Sequence, residues 1–463
     1  MQGFKDFILN NKLVLFLSVA LFAFVISTIS LASSNSSKKT AIEQCEASIW
    51  EATELPRCSV PVSTLPANDP VYLKVNGTAL SLWNFDGPAL EWDKNAGETA
   101  LLCSGTGNVL EKTNQQLTKK TCSKGTVFKV AGTDADAKDL KCKEAVSGDI
   151  LRTTEFCGNH RGYLFKLGFN ADTSGFITYI ESCMNHMTLS VLYTRHVLPG
   201  AAIKSAVAGV TGTWRKSDLF PGTVNPDTLY SQAQQLVRMT ELLGAAEQAK
   251  MYVTDTQYLT KGHMTPTGDG IFHTWKHAGF FYENAVPQWK TVNEGNWKRV
   301  EELTRVIASH MNDDLVVLQG TRGVLELPHA NGEAVAITLD TAGIEVPLWS
   351  WKVLKSKKLN AGIAFVTLNN PYETKLEKLL CENICQQTGW SDSQFTDYKK
   401  GFTYCCDPNM LVRFVPHAPD EALVQTVLTT SMLPTNGALT VGGWFNIIVT
   451  LVLALIVKQN VSL

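Results

Sequence analysis

No two of the eleven cysteines stand in a Cys-x-x-Cys pair, so the spacing that usually announces a zinc site is missing. Nor is there a surplus of positive charge. The 41 Lys and Arg against 43 Asp and Glu leave a formal net charge of -2. A globally basic field for holding polyanions is excluded, and any affinity for phosphate has to come from a local patch or a metal ion. Charged residues make up only 18% of the chain, below the ~25% usual for soluble domains, and apolar segments at both ends account for part of the shortfall. Internal repeats and, outside the ends, low-complexity tracts are lacking, which excludes repeat architectures.

What is present is enough chain for two or three domains, 463 residues with 44% hydrophobic, each domain able to bury its own core. Seven of the cysteines fall in the first 183 residues, and Cys381, Cys385, Cys405 and Cys406 cluster near the end. That usage fits disulfides formed in an oxidising compartment, with the odd count leaving one free or intermolecular thiol. The late cluster could also hold a metal, although adjacent cysteines chelate one tetrahedral ion awkwardly. Asn35 and Asn76 begin N-x-S/T sequons, consistent with a lumenal or extracellular face and a glycoprotein.

Each terminus carries an apolar segment. Leu13 to Ala32, after Lys5 and Lys12, is an export element. Its length suits an uncleaved signal anchor, while Ser30-Leu31-Ala32 resembles a signal-peptide cleavage site, and both readings stay open. Phe445 to Val457, preceded by Asn436-Gly437-Ala438, has the order of a glycolipid-anchor signal. A plain membrane span or a buried helix reads equally. The expected organisation is therefore a signal and linker over 1–44, a Cys-rich β region over 45–160, a catalytic domain over 161–420 and a tail over 421–463. The expected location is secreted or on the outer face of the plasma membrane, with membrane contact through either end.

Within 161–420 the pattern mixes helices and strands. Leu189 to Val197, Met251 to Leu259, Gly279 to Val286 and Ile363 to Leu368 read as strands. Asp227 to Gln248 and Asn293 to Met311 have helical apolar spacing. Three clusters stand out along this stretch. Lys261-Gly262-His263 follows a strand, Asn284-Ala285-Val286-Pro287-Gln288 ends the next, and Asn293 opens a helix that carries Glu301. Strand, strand, helix in this order is the layout of a ββα-metal finger. A neutral imidazole can accept a proton from attacking water near pH 7, and a divalent cation can stabilise the departing oxygen. Magnesium keeps most of its waters, so the single amide oxygen of Asn293 can suffice as a protein ligand. Eight residues on, Glu301 lies about 80° around a regular helix and could accept hydrogen bonds from the ion's waters. Lys261 supplies a cation for the scissile phosphate. Taken singly, each residue has an ordinary role as well. His263 could be a loop histidine, Asn293 a helix cap, Glu301 part of a solvated face, and Asn284 and Gln288 turn residues.

The joint pattern resembles the DNA/RNA non-specific endonuclease family, and most closely its arthropod double-stranded-RNA nuclease branch. The likeness extends over most of residues 58–415. Leu101-Leu102-Cys103-Ser104-Gly105, Thr121-Cys122-Ser123-Lys124-Gly125, Leu192-Tyr193-Thr194-Arg195-His196, Gly320-Thr321-Arg322-Gly323 and Asn369-Asn370-Pro371 look similar too. The resemblance implies an α+β fold, a ββα-metal finger nuclease core with a central antiparallel sheet and an N-terminal disulfide-braced β region. It implies His263 as general base, Asn293 as the ligand of one Mg2+ or Mn2+ ion, and Glu301, Asn284 and Gln288 as supporting groups. It also implies an upstream arginine on the phosphate, for which Arg195 is the candidate. Where the family usually has Asp-Arg-Gly-His, this chain has Thr260-Lys261-Gly262-His263; lysine keeps the charge but loses the two-pronged fork of arginine. The expected function is sequence-tolerant hydrolysis of DNA and RNA. The alternative is a catalytically weak or inactive surface protein of the same fold that binds nucleic acid or another partner.

Overall fold

A computed structural model describes residues 58–85, 87–92 and 99–434. Both apolar terminal segments, Asn35 and Cys45 lie outside the described residues. Among the described residues no helix is long and apolar enough to cross a membrane.

The centre of the molecule is a nine-stranded sheet. Its order is Thr403–Cys406, Ala361–Leu368, Pro347–Ser356, Leu315–Val324, Ser190–Leu198, Phe176–Asn185, Gly162–Asn170 and Asp149–Cys157, with the short Thr426–Val427 strand running parallel to Ala361–Leu368. All other pairings are antiparallel. The central strands are buried on both faces, as Ala361–Leu368 is at every position. Alternation then splits the residues between two cores. Ile363 and Phe365 join the front core, whereas Ala364, Val366 and Leu368 join the back one. The C-terminal segment covers the back through Cys381, Tyr404, Cys406, Leu411 and Val415.

Ahead of this sheet, a six-stranded antiparallel sheet is built from the strands between Val71 and Asp136 other than Ala89–Trp92, which pairs with Cys58–Pro61. Disulfides Cys58–Cys122 and Cys103–Cys142 brace it. Cys157–Cys183 ties the edge of the large sheet, and Cys381–Cys406 and Cys385–Cys405 close the late cluster. The late cysteines are thus paired with each other, and the metal alternative for them falls away. The fold is α+β, as expected.

Several local expectations shift. The Asp227 to Gln248 region divides into the helices Pro226–Leu229, Gln232–Leu243 and Ala246–Lys250. Met251 to Leu259 is not a strand. A turn interrupts it, with Thr254 Oγ1 accepting from the Gln257 amide at 3.0 Å, and the strand begins only at Leu259. Gly279 to Val286 also starts too early. Phe280, Phe281 and Tyr282 are buried in packing, a short turn covers Tyr282–Asn284, and the strand is Ala285–Trp289. In both places β-formers were recruited by tertiary packing rather than by a ladder.

Candidate active site

The finger lies on the front of the large sheet. Strands Leu259–His263 and Ala285–Trp289 pair antiparallel, with His263 opposite Ala285 and Thr260 opposite Gln288. Strand alternation puts Lys261 and His263 on one face and Thr260 and Gly262 on the other. Gly262 is required for this approach: a Cβ there would sit 2.6 Å from Gln288 Oε1 and 2.9 Å from Gln288 Cβ. Gln288 is fully buried, and its Nε2 donates to Ser350 Oγ at 3.3 Å across to the large sheet. Asn284 is also fully buried. Its Oδ1 accepts from the Thr265 amide at 2.8 Å, and its Nδ2 donates to the carbonyls of Thr265 and Gly279 at 3.0 and 2.9 Å. Asn284 therefore fixes the chain as it leaves His263.

The His263 ring is half-buried between two aromatic side chains. Trp214 lies with its ring centroid 4.6 Å away and Phe280 meets it edge-on at 5.1 Å. Nε2 is sealed from solvent and has no hydrogen-bond partner. Loss of solvation penalises the charged form and pushes the imidazole pKa down to about 4. The ring is therefore neutral at ordinary pH, the state in which it can accept a proton. Lys261 donates to Asp227 Oδ1 at 2.7 Å, while its ammonium also lies 5.7 and 5.3 Å from the ring centres of Trp214 and Tyr282.

Beyond the second strand the chain turns through Lys290–Val292 and a wide π-turn, Asn293–Trp297, before the regular helix Lys298–Met311. Gly295 inside the turn has non-helical angles, φ −95° and ψ −120°. The even helical spacing expected between Asn293 and Glu301 is broken here, because the turn packs against the segment before strand Thr403–Cys406. Asn296 Nδ2 donates to the carbonyls of Gln394 and Gly401, both at 2.8 Å. Such turns often mark functional sites. Asn293 Nδ2 donates to Thr260 Oγ1 at 3.1 Å, and Thr260 Oγ1 donates in turn to the Gln288 carbonyl at 2.9 Å. With its nitrogen committed, Asn293 presents Oδ1 as an acceptor. Among the described residues no group of three or more His, Cys, Asp or Glu could hold a metal ion. A site of one amide oxygen plus waters is what these residues fit.

Glu301 sits above a buried polar network. Burial pushes its carboxyl up to about 7; the charges of Lys352 and Arg305 pull it down, and Asp269 and Glu302 push it further up. Lys352 is fully buried, donates to Gln319 Oε1 and lies 5.1 Å over the Trp297 ring. Asp269, also fully buried, pairs with Arg305 at 3.0 Å and with His196 Nε2 at 3.0 Å. Burial would raise Asp269, but the His196 hydrogen bond and the charges of His196, Arg305 and Lys352 outweigh it and hold the carboxyl at about 2.

Arg195 stands apart from this group. It pairs in register with Leu318, a residue of the back core, while its neighbours Thr194 and His196 reach forward to Thr265. Its guanidinium forks onto Glu421 at 2.7 and 2.8 Å and lies 3.7 Å from Glu181. The structure brings Lys261, His263, Asn284, Gln288 and Asn293 onto or beside one hairpin, and sets Glu301 over the Asp269 network. Sequence reading missed Trp214, Thr260, Asp269, His196 and Lys352. Arg305, four residues after Glu301, offered a visible helical signal, and Thr260 a visible departure from the family motif; Trp214 offered none.

Residues 160–410, more than half of the chain, match the sequence profile of the DNA/RNA non-specific endonucleases. The chain belongs to that family. As a DNA/RNA non-specific endonuclease it is a nuclease, and nucleases of this family are generally dependent on divalent metal. The salivary endonuclease of Lutzomyia longipalpis is 29% identical over 353 residues, covering 75% of this chain and 80% of the relative. A salivary endonuclease of Culex quinquefasciatus is 27% identical over 365 residues, covering 75% and 86%. The mitochondrial nuclease EXOG of Xenopus laevis is 32% identical over 179 residues, covering 34% and 48%.

Proposed function

We propose that this non-specific nuclease hydrolyses phosphodiester bonds in both DNA and RNA, duplex RNA included, outside the cytosol, with one Mg2+ or Mn2+ ion held at Asn293. The observation that carries the reading is a half-buried histidine kept neutral by loss of solvation, three residues along the same strand from the threonine that holds Asn293. The five disulfides and the salivary names of the relatives support action in an oxidising, extracellular setting.

In this mechanism His263 takes the proton from the attacking water as general base. Lys261 exchanges Asp227 for a phosphate oxygen of the substrate. Thr260 holds the Asn293 amide nitrogen and leaves its Oδ1 free to accept, Asn284 and Gln288 hold the hairpin, and Glu301 orients water by accepting hydrogen bonds from it. The bound cation supplies charge stabilisation for the developing negative oxygen. Contacts to the phosphate backbone alone make cleavage tolerant of sequence and sensitive to salt. Arg195, committed to Glu421 behind the sheet, has no part in it.

The test is digestion of plasmid DNA and duplex RNA by the full chain with magnesium or with a chelator. Magnesium-dependent cleavage of both, lost in His263→Ala, is expected. Binding without digestion at any metal concentration would instead support the inactive surface protein.

A further inference from the structure

The proposed machinery leaves Trp214 without a task, although it lies against the general base. It belongs to the segment between strand Ser190–Leu198 and the helices that precede the finger. That segment is pinned at both ends. The Val207 amide donates to the Ile271 carbonyl at 3.0 Å, and Arg215 exchanges backbone hydrogen bonds with Phe280 and Tyr282 at 3.0 and 2.9 Å. The Arg215 guanidinium also donates to the carbonyls of Ser147, Gly148 and His277. Between the anchors, Ala208, Gly209, Thr211 and Thr213 are exposed or border solvent. Gly212 presses on the Phe280 ring so closely that a Cβ would lie 2.3 Å from it. This approach seats the Trp214 indole against three rings, His263 at 4.6 Å, Phe280 at 5.5 Å and Tyr282 at 5.5 Å, with the Lys261 ammonium 5.7 Å from its centre.

An indole so placed could be simple packing. Two features say more. Trp214 is only half-buried, so part of a large π-surface meets solvent at the rim of the site. It also lies beside the one cation that the mechanism assigns to the scissile phosphate. A nucleotide offers a phosphate and an aromatic face together, and stacking on an aromatic side chain holds any base because every base has a π-face. We infer that Trp214 is the base-stacking residue of this nuclease: the nucleobase next to the scissile phosphate packs on the indole and seats that phosphate over Lys261 and His263. The inference rests on the proposed use of this hairpin as the active site, and it accounts for substrate tolerance without hydrogen-bond readout of the base edges.

Binding rather than turnover separates this inference from that reading. The full chain is titrated, in chelator, against a fluorescein-labelled short oligothymidylate and a base-less deoxyribose-phosphate oligomer of equal length, followed by anisotropy. Trp214→Leu keeps an apolar cover on His263 and loses the stacking face; Trp214→Phe keeps a ring. Trp214→Leu is expected to weaken oligothymidylate binding by about 10- to 100-fold, Trp214→Phe to restore most of it, and neither to change binding of the base-less oligomer. Equal losses on both oligomers would make Trp214 a packing residue, and unchanged binding of oligothymidylate, or none by the unaltered chain, overturns the inference as well. Absence of magnesium-dependent cleavage with this binding difference intact would instead count against the nuclease mechanism alone.

Discussion

His263 and Glu301 have been moved in opposite directions by the same force. Burial disfavours charge, so it lowers the imidazole to about 4 and raises the carboxyl to about 7. The proposed base is therefore already neutral well below neutrality, whereas Glu301 is protonated as the pH falls through about 7 and would then cease to accept hydrogen bonds from water. The acid limb of kcat/KM should follow Glu301, with activity falling below pH ~7. Glu301→Gln should remove that limb and leave a weaker activity level down to about pH 4, where His263 gains its proton. A limb near ~6.5 that survives Glu301→Gln would mean a solvated, ordinary histidine. His263→Ala should lower kcat by roughly 10²–10⁴-fold, the usual worth of a general base. These chemical types were legible in the sequence because their order along the chain is distinctive. Their partners were not. Lys261 meets Asp227 across 34 residues and Arg195 meets Glu421 across 226, and contacts of that range leave no local pattern. Only the fold revealed that Arg195, read as a phosphate ligand, is spent on a carboxylate.

The elements of the finger were legible in kind and blurred in detail. Its first strand ends at the glycine and histidine that the motif marks, and its long helix keeps the apolar positions Val300 and Ile307 buried as the periodicity requires. The second strand and the start of the helix shifted because aromatic packing and the π-turn at Gly295 are decided by neighbouring segments. Thr260 shows how a departure from a family motif can be read once those neighbours are known. Its hydroxyl links Asn293 to the Gln288 carbonyl, so the first strand aims the proposed ligand in the helix turn. Thr260→Val keeps the shape and deletes both hydrogen bonds. Magnesium titrations of activity should show apparent metal affinity weakened about 10-fold or more, with kcat at saturating metal little changed, as for other groups that orient a ligand. Beneath the helix, Asp269 joins it to strand Ser190–Leu198 through Arg305 and His196. Asp269→Asn removes the buried carboxylate that pairs with Arg305 and His196, and urea unfolding should register a loss of roughly 2–3 kcal/mol. Because the folded pKa of Asp269 is depressed to about 2, its contribution is present above ~4, its unfolded value. It is lost as the pH falls towards 2, so the variant and the unaltered chain should converge in stability only in strong acid.

At the scale of the whole molecule, the family profile begins at residue 160, yet the hairpin of the candidate site is braced by residues before it. The segment joining its two strands carries Phe272 and Trp275. Tyr72 stacks on Phe272 at 5.3 Å, Phe85 meets Phe272 at 5.6 Å and Trp275 at 6.4 Å, and Asp69 faces His273 at 3.5 Å. Ser104 donates to Asp149 at 2.7 Å on the edge strand of the large sheet. One continuous core runs from Val71 and Leu101 through Phe272 to Trp289 and Ile307. Length and cysteine spacing suggested separate regions divided at 160, a position that lies in the hairpin between two paired strands and inside the loop closed by Cys157–Cys183. A shared core transmits unfolding, so the far-ultraviolet circular dichroism of the sheets and the fluorescence of the tryptophans should change together in a single urea transition. A chain that starts at 160 exposes Phe272 and Trp275, leaves Cys183 without its disulfide partner Cys157, and should lack both a cooperative transition and nuclease activity. Two resolved transitions, or an active chain starting at 160, would mean that the N-terminal sheet only decorates the nuclease. A single transition would make it part of the candidate site's support, because the rings it covers, Phe272 and Trp275, belong to the segment that joins the two strands of the finger.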